Sequence, residues 1–405
     1  MEIYSEGASL NSPIQTVTMQ EVKREDRDRL KIVVAGLGNA GGQAAYRAYM
    51  NGFPSIVMNT SEKDVSNDVL MSDIPAIIVG DGRGAAKDRT ISKGFLKENL
   101  NSVFQEKNFV SLIEDADVVV VVASLGGGTG SGFMGLLANR IQVKYPATTV
   151  ICFGIAPKMN EAGQAHMNKI EVIDELNKLK LPFTLLDLAT LEDVPNNKAF
   201  EMVGNQFVED LKIIRGDYSK MTTTGMIDAR EWLTLFNNGG YFITTSVSNL
   251  TDRDIEKESI QSRLINNLKD GNIHARINGD KNIRYIGAIA NFTSTLEDPM
   301  KAGNFSEMNN YLGRPVDMFS NFTSDNKSTD VHLVITGLSI PVETIDASKA
   351  IIMEYSLVNK KNVDLSSDRE EVSFFSQANT RDKGKLLGKG TSEVTDISDD
   401  IPDFL

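Results

Sequence analysis

Gly36-Leu37-Gly38-Asn39-Ala40-Gly41 sets three glycines at G-x-G-x-x-G spacing, between the apolar run Lys31 to Ala35 and an Ala-rich helical stretch, Gln43 to Met50. At such a junction backbone N–H groups and a helix N-terminus can cradle a phosphate. The motif alone fits a Rossmann dinucleotide site or a plain strand-to-helix turn. A second junction narrows the choice: Val118 to Ser124 runs through Leu125 into Gly126-Gly127-Gly128-Thr129-Gly130-Ser131-Gly132 and then into the helical Phe133 to Ile141. Five glycines in seven positions let the backbone approach an anion closely, and the hydroxyls of Thr129 and Ser131 add donors. No lysine follows the last glycine, so a Walker P-loop is a poor match. A third pair, Asp228 and Glu231, stands three residues apart at a helix start and faces one side. Two carboxylates there can orient a water, or they can form a capping box that suits the helix dipole.

The elements that must position these residues alternate. Short apolar runs at Lys31 to Ala35, Ser55 to Met58, Ala76 to Val79, Asp117 to Ser124, Thr148 to Gly154 and Phe183 to Leu188 read as strands separated mostly by helices, which predicts a parallel sheet covered on both faces. A long helix is predicted over Lys198 to Arg215, where Phe200, Val203, Phe207, Leu211 and Ile214 recur at steps of three and four, with Gly216 as its stop. Beyond it Tyr241 to Val247, Arg284 to Ala290, Val331 to Leu338 and Ala350 to Leu357 read as strands of a smaller mixed sheet. The expected division is an N-terminal extension over 1–30, charged from Met19, a nucleotide-binding domain over 31–197, a central helix over 198–216, a second domain over 217–358, and a C-terminal helix and flexible tail over 359–405.

Composition excludes several classes. A net charge of −13 opposes direct binding to nucleic acid, which needs clustered Lys and Arg. The longest strongly apolar run, Val118 to Ala123, is far too short to cross a bilayer, and no signal peptide is evident, so the expected location is the cytosol. One cysteine, Cys152, excludes an internal disulfide and reads as a buried thiol; three scattered histidines offer no zinc spacing, and no structural metal is expected.

Gly36 to Gln43 followed by Gly126 to Gly132 resembles the first phosphate loop and the signature loop of FtsZ and tubulin. The resemblance covers about 31–240 in ordered motifs and continues more weakly to about 357. It implies an α/β fold with a long central helix, GTP or GDP as the bound nucleotide together with Mg²⁺, and phosphate contacts from Gly36, Gly38, Asn39, Ala40, Gly41, Gly42, Gln43 and Gly126 to Gly132. Asn59 and Thr60 after the second strand, and Gly82, Arg83 and Gly84 in the loop Gly80 to Lys87, resemble further phosphate contacts, the latter near the γ-phosphate. Pro157 and Glu161 match a ribose-contacting loop, and Asn196 and Asn205 the groups that read the guanine edge. Thr223 to Trp232 resembles the catalytic loop that such proteins insert into the next subunit, which gives Asp228 and Glu231 a catalytic role in trans.

Three departures mark a divergent branch: Ala165 where FtsZ has an arginine, Met226 where it has an asparagine, and Glu231 where it has an aspartate. With the charged N-terminal extension they resemble a TubZ-type segregation GTPase of plasmids or phages. That implies head-to-tail filaments which move DNA through a DNA-binding adaptor in a bacterial host's cytoplasm, with no direct contact to nucleic acid or membrane. The terminus Asp400-Ile401-Pro402-Asp403-Phe404-Leu405 resembles the adaptor-binding end of FtsZ and keeps a division role open. Outside the superfamily the alternatives are a Rossmann NAD(P)-dependent oxidoreductase, which would place an acidic residue where Asn59 stands, and a nucleotide-dependent scaffold without turnover.

Overall fold

The computed structural model describes residues 29–220, 227–271, 273–279, 282–293 and 305–364, with backbone alone at 325–326 and 357–364. The stretch from Met19 to Asp28, the segment Thr223 to Met226 and the acidic terminus lie outside the described residues.

Ten strands form one sheet among the described residues, in the order β3-β2-β1-β4-β5-β6-β7-β10-β8-β9. The strands are β1 (Ile32–Leu37), β2 (Ser55–Asn59), β3 (Ala76–Ile78), β4 (Val118–Ser124), β5 (Thr149–Ala156), β6 (Pro182–Asp187), β7 (Gly240–Leu250), β8 (Tyr285–Thr293), β9 (Asp317–Asn326) and β10 (Thr329–Leu338). The first six are mutually parallel. β7 joins them parallel to β6 through the pairs Pro182 with Gly240 and Phe183 with Tyr241. β10 is antiparallel to β7 and β8, and β9 is parallel to β8. The mixed second half is therefore not a separate sheet.

Its core is likewise shared. Along β4 Val119, Val121 and Ala123 enter one apolar cluster while Val118, Val120 and Val122 enter another, because alternate side chains leave a strand on opposite faces. Both clusters extend from β1 to β10. The two cores are the two faces of one sheet. Cys152 is fully buried in one of them, where loss of hydration pushes its thiol pKa up and keeps it inert.

Twelve helices flank the sheet among the described residues: α1 (Gly38–Met50), α2 (Asn67–Leu70), α3 (Arg89–Val103), α4 (Lys107–Glu114), α5 (Gly128–Lys144), α6 (Gly163–Lys178), α7 (Asn196–Arg215), α8 (Ala229–Thr234), α9 (Asp252–Lys257), α10 (Ile260–Asp270), α11 (Ser306–Leu312) and α12 (Val342–Asp364). The predicted long helix is α7, ended by Gly216 in the left-handed conformation. Two elements differ from expectation. Ala350 to Leu357 is not a strand but part of α12, which lies on α6. Its buried positions include Thr344 and Ser348, four apart, so the inward stripe has helical spacing but polar residues, and it left no apolar period to read. β9 was not expected at all: it is an edge strand with only Met318, Phe319 and Phe322 as apolar anchors among polar residues.

Between the sheet and the segment after α7, His332 of β10 stacks on Tyr218 with ring centroids 3.9 Å apart. Desolvation lowers its pKa to about 4. A histidine near 6.5 in the unfolded chain and lower in the folded one disfavours folding as it takes up a proton. Stability is therefore expected to fall by roughly 3 kcal/mol as pH drops from above 6.5 to about 4. Urea unfolding at pH 7 and pH 4.5 measures this. His332→Gln should flatten the difference, and an unchanged slope would exclude His332 as its source.

Candidate nucleotide site

The sheet order 3-2-1-4-5-6 reverses between β1 and β4, and in open parallel sheets ligands bind beyond the carboxyl ends of the strands at that switch point. Both glycine clusters stand there. β1 passes into α1 with Leu37 as N-cap, and β4 into α5 with Gly127 as N-cap; neither start carries a side-chain cap or an acidic residue in its first turn. Both helices begin earlier than the sequence suggested, at Gly38 and Gly128, so the glycine clusters are the first turns themselves. The same bare starts occur in α6 after Ala162 and α7 after Pro195, which follow β5 and β6. By contrast α3, α4, α8, α9 and α10 begin under Asp88, Glu106, Asp228, Thr251 and Ser259. Four helices thus turn uncapped N–H groups toward one edge of the sheet, which suits an anion with several phosphates.

The two glycine turns touch. Gly38 holds φ +69°, open to glycine at little cost, and a Cβ there would stand 3.3 Å from Gly130 N. Thr129 Oγ1 is 2.7 Å from Thr60 Oγ1, which brings the end of β2 to the signature turn. Asn59, buried, accepts the N–H groups of Thr60 and Ser61 through Oδ1 at 2.9 and 3.3 Å, and its Nδ2 has no partner among the described residues. A buried amide donor without a partner, beside two bare helix starts, fits a site built for an anionic ligand. Ser131 differs from expectation: its hydroxyl bonds Gly127 O, so it serves the turn and is not free for phosphate.

The loop after β3 closes one side. Gly84 N donates to Thr60 O at 2.8 Å, Glu62 N donates to Gly82 O at 3.2 Å, and Ser61 bridges Arg83. Arg83 is exposed and stands 4.0 Å from Asp81. Lys87 lies against Gly128, where an added Cβ would meet Lys87 Cα at 2.9 Å. Pro157 and Ala165 flank Gly126 on the other side. Glu161 Oε1 accepts Lys158 N at 3.2 Å, so this carboxylate also folds the turn, while Lys158 Nζ grips Glu192 O and Val194 O just before α7.

The two candidate guanine readers are not brought together. Asn205 faces α1, accepts from Arg47 Nη1 at 3.2 Å and lines a 580 Å³ cleft with Gln43 and Tyr46. Gln43 in turn donates to Asn39 Oδ1 at 2.9 Å. Asn196 is nine residues earlier on α7, about 13 Å along the axis and about half a turn round it. Of the two, Asn205 shares a cleft with Gln43, the residue that follows the first glycine turn.

Asp228 and Glu231 form a reciprocal capping box at α8: Glu231 N donates to Asp228 Oδ1 and Asp228 N to Glu231 Oε2, each at 2.9 Å. They stand far from the glycine turns. α7 starts beyond the carboxyl end of β6, spans about 30 Å and returns to the opposite edge, where Gly216 lies beside Trp232 of α8.

Residues that sequence spacing did not reveal form a layer behind the turns. Ser92 Oγ donates to Gly128 O at 2.8 Å, Arg89 Nη2 donates to Ser131 O at 3.2 Å, and Asn168 reaches Gly126, Gly127 and Lys87. They lie on α3 and α6 at no motif spacing, so only tertiary contact identifies them.

Residues 31–180 match the model of the Tubulin/FtsZ family, GTPase domain. It is 25% identical over 242 residues to the tubulin-like protein CetZ of Pyrococcus abyssi, covering 58% of this chain and 65% of that protein. It is 26% identical over 248 residues to the tubulin-like protein TubZ of Clostridium botulinum C phage, covering 59% and 64%. In each case the match spans just under two thirds of the relative's length. A GTPγS-form protofilament of Bacillus thuringiensis serovar israelensis TubZ superposes with a TM-score of 0.66 at 16% identity, covering 84% of this chain and 95% of that one. This chain has the same tubulin/FtsZ-like fold.

Proposed function

We propose that this protein binds GTP with Mg²⁺, assembles head to tail into filaments, and hydrolyses GTP between successive subunits. The observation that supports this reading is that bare helix starts lie at one end of α7 and an acidic pair at the other. In one subunit the turns at Gly36 to Gly42 and Gly126 to Gly132 bind the phosphates. Thr60, Gly82, Arg83 and Gly84 close on the γ end, the Pro157 and Glu161 turn borders the ribose, and Asn205 in the α1 cleft serves the base. The next subunit's Asp228 and Glu231 then orient the attacking water, as carboxylates can near neutral pH. Bound Mg²⁺ offsets phosphate charge. A contact between unlike ends does not close, so it propagates as a filament. The halves 31–197 and 217–358 act as nucleotide-binding and activation domains about the 198–216 helix. Negative-stain microscopy with GTP and phosphate release against protein concentration test the reading. Activity per subunit should rise steeply above a critical concentration, and a flat dependence would defeat hydrolysis in trans.

We further infer a TubZ-type role in the cytoplasm of a bacterial host, moving plasmid or phage DNA through a DNA-binding adaptor. The likeness to phage TubZ and the divergent positions Ala165, Met226 and Glu231 support it. An FtsZ-like division role is the second reading, favoured by the terminal Asp400-Ile401-Pro402-Asp403-Phe404-Leu405. Deleting residues 396–405 should leave GTP-dependent sedimentation of filaments unchanged and abolish co-sedimentation of the adaptor. Filaments lost on truncation would make this segment part of the polymer.

A further inference from the structure

We infer that Asn168 is the positioning residue that aims the phosphate-binding N–H groups of the signature turn. The inference rests on the nucleotide site proposed above and names what sets its geometry. Asn168 lies on α6 and is fully buried. Its Nδ2 is 3.0 Å from Lys87 O, 3.2 Å from Gly126 O and 3.4 Å from Gly127 O, so one amide gathers carbonyls from both loops that border the γ end. The orientation of that amide follows from its neighbours: three carbonyls require the NH₂ on their side, and Gln164 Nε2 donates to Oδ1 at 2.9 Å on the other.

The consequence comes from peptide geometry. In a trans peptide the carbonyl and the following N–H point in opposite directions. Holding Gly126 O and Gly127 O toward α6 therefore turns the N–H groups of Gly127 and Gly128 away from it, toward the mouth between the two glycine turns. Glycine has no side chain to lock its own peptide plane, so an external clamp has a large effect here. The same amide holds Lys87 O, which ties the loop after β3 to the signature turn. Asn168 acts through the backbone it holds, and the preorganised donors do the binding.

A phosphate-specific loss separates this role from a general contribution to folding. In full-length protein, affinities of GTPγS, GDP and guanosine are measured for wild type, Asn168→Ala, Asn168→Asp and Gln164→Ala. Asn168→Ala is expected to weaken GTPγS and GDP by about 10- to 100-fold, the equivalent of one charge-assisted hydrogen bond, with guanosine unchanged. Asn168→Asp sets a carboxylate against three carbonyls and should weaken both nucleotides further. Gln164 is exposed, so Gln164→Ala leaves the fold intact while releasing Oδ1, and a smaller loss in the same nucleotide-selective pattern is expected even where Asn168 variants fail to fold. Equal loss for guanosine and nucleotides, or unchanged affinity in Gln164→Ala and the Asn168 variants, would overturn the inference. A wild-type chain that binds no guanine nucleotide would instead overturn the function on which it rests.

Discussion

Asp228→Asn is expected to bind GTP like the wild type, form filaments, and release phosphate about a hundredfold more slowly per subunit. The choice of asparagine matters because Asp228 caps α8 in a reciprocal box with Glu231. Asparagine is as good an N-cap as aspartate, so the fold is kept while the negative charge is lost. Asp228→Ala removes cap and charge together, at about 1 kcal/mol of stability. Glu231→Gln likewise keeps the box, since glutamine serves at that position, and should slow turnover. Phosphate release and filament lifetime, measured for all three at one concentration well above the assembly threshold, separate the roles. If Asp228→Ala is slow while Asp228→Asn turns over like the wild type, the carboxylates only cap the helix. Longer-lived filaments in Asp228→Asn are the outcome that places the charge in the reaction.

Gly128→Val should lower GTP affinity by at least about a hundredfold, more than losing any one hydroxyl contact. A Cβ at Gly128 would come within 2.9 Å of Lys87 Cα and 3.0 Å of Asp88 N, which are backbone atoms and cannot rotate aside as a side-chain tip can. Valine must therefore displace the loop after β3 or open the first turn of α5, and either movement spreads the donors. Thr129→Ala loses the contact to Thr60 Oγ1 at 2.7 Å and a donor at the mouth, for about a tenfold loss. Ser131→Ala removes a hydroxyl that, with Asn168, holds Gly127 O within the turn, and should cost less affinity than Thr129→Ala because Asn168 still holds that carbonyl. Titration of a fluorescent GTP analogue against the three variants reads this order directly. Equal affinities for Gly128→Val and wild type would remove the signature turn from the site.

The chain's own pattern determined the parallel half of the sheet, α7 and its Gly216 stop, and the two glycine turns. Each is encoded locally: β-branched runs such as Val118 to Val122 fit a buried strand wherever they occur, and a glycine cluster between strand and helix limits what the backbone there can do. The G-x-G-x-x-G turn alone could not tell a Rossmann dinucleotide site from another phosphate loop, and it took the second glycine cluster and Asn59 to weigh against the Rossmann reading. Nor could local patterning find β9 or α12, whose anchoring positions carry polar residues that become meaningful only against β8 and α6. Tertiary structure alone decided which residues meet. Asn205 reached the α1 cleft while Asn196 did not, Ser131 turned inward, and Asn168, Ser92 and Arg89 assembled behind the turns from α3 and α6. The physical reason is that a hydrogen bond between residues distant in sequence leaves no periodicity or spacing in the chain. Its partners are chosen by how helices pack on the sheet, after the local elements have formed.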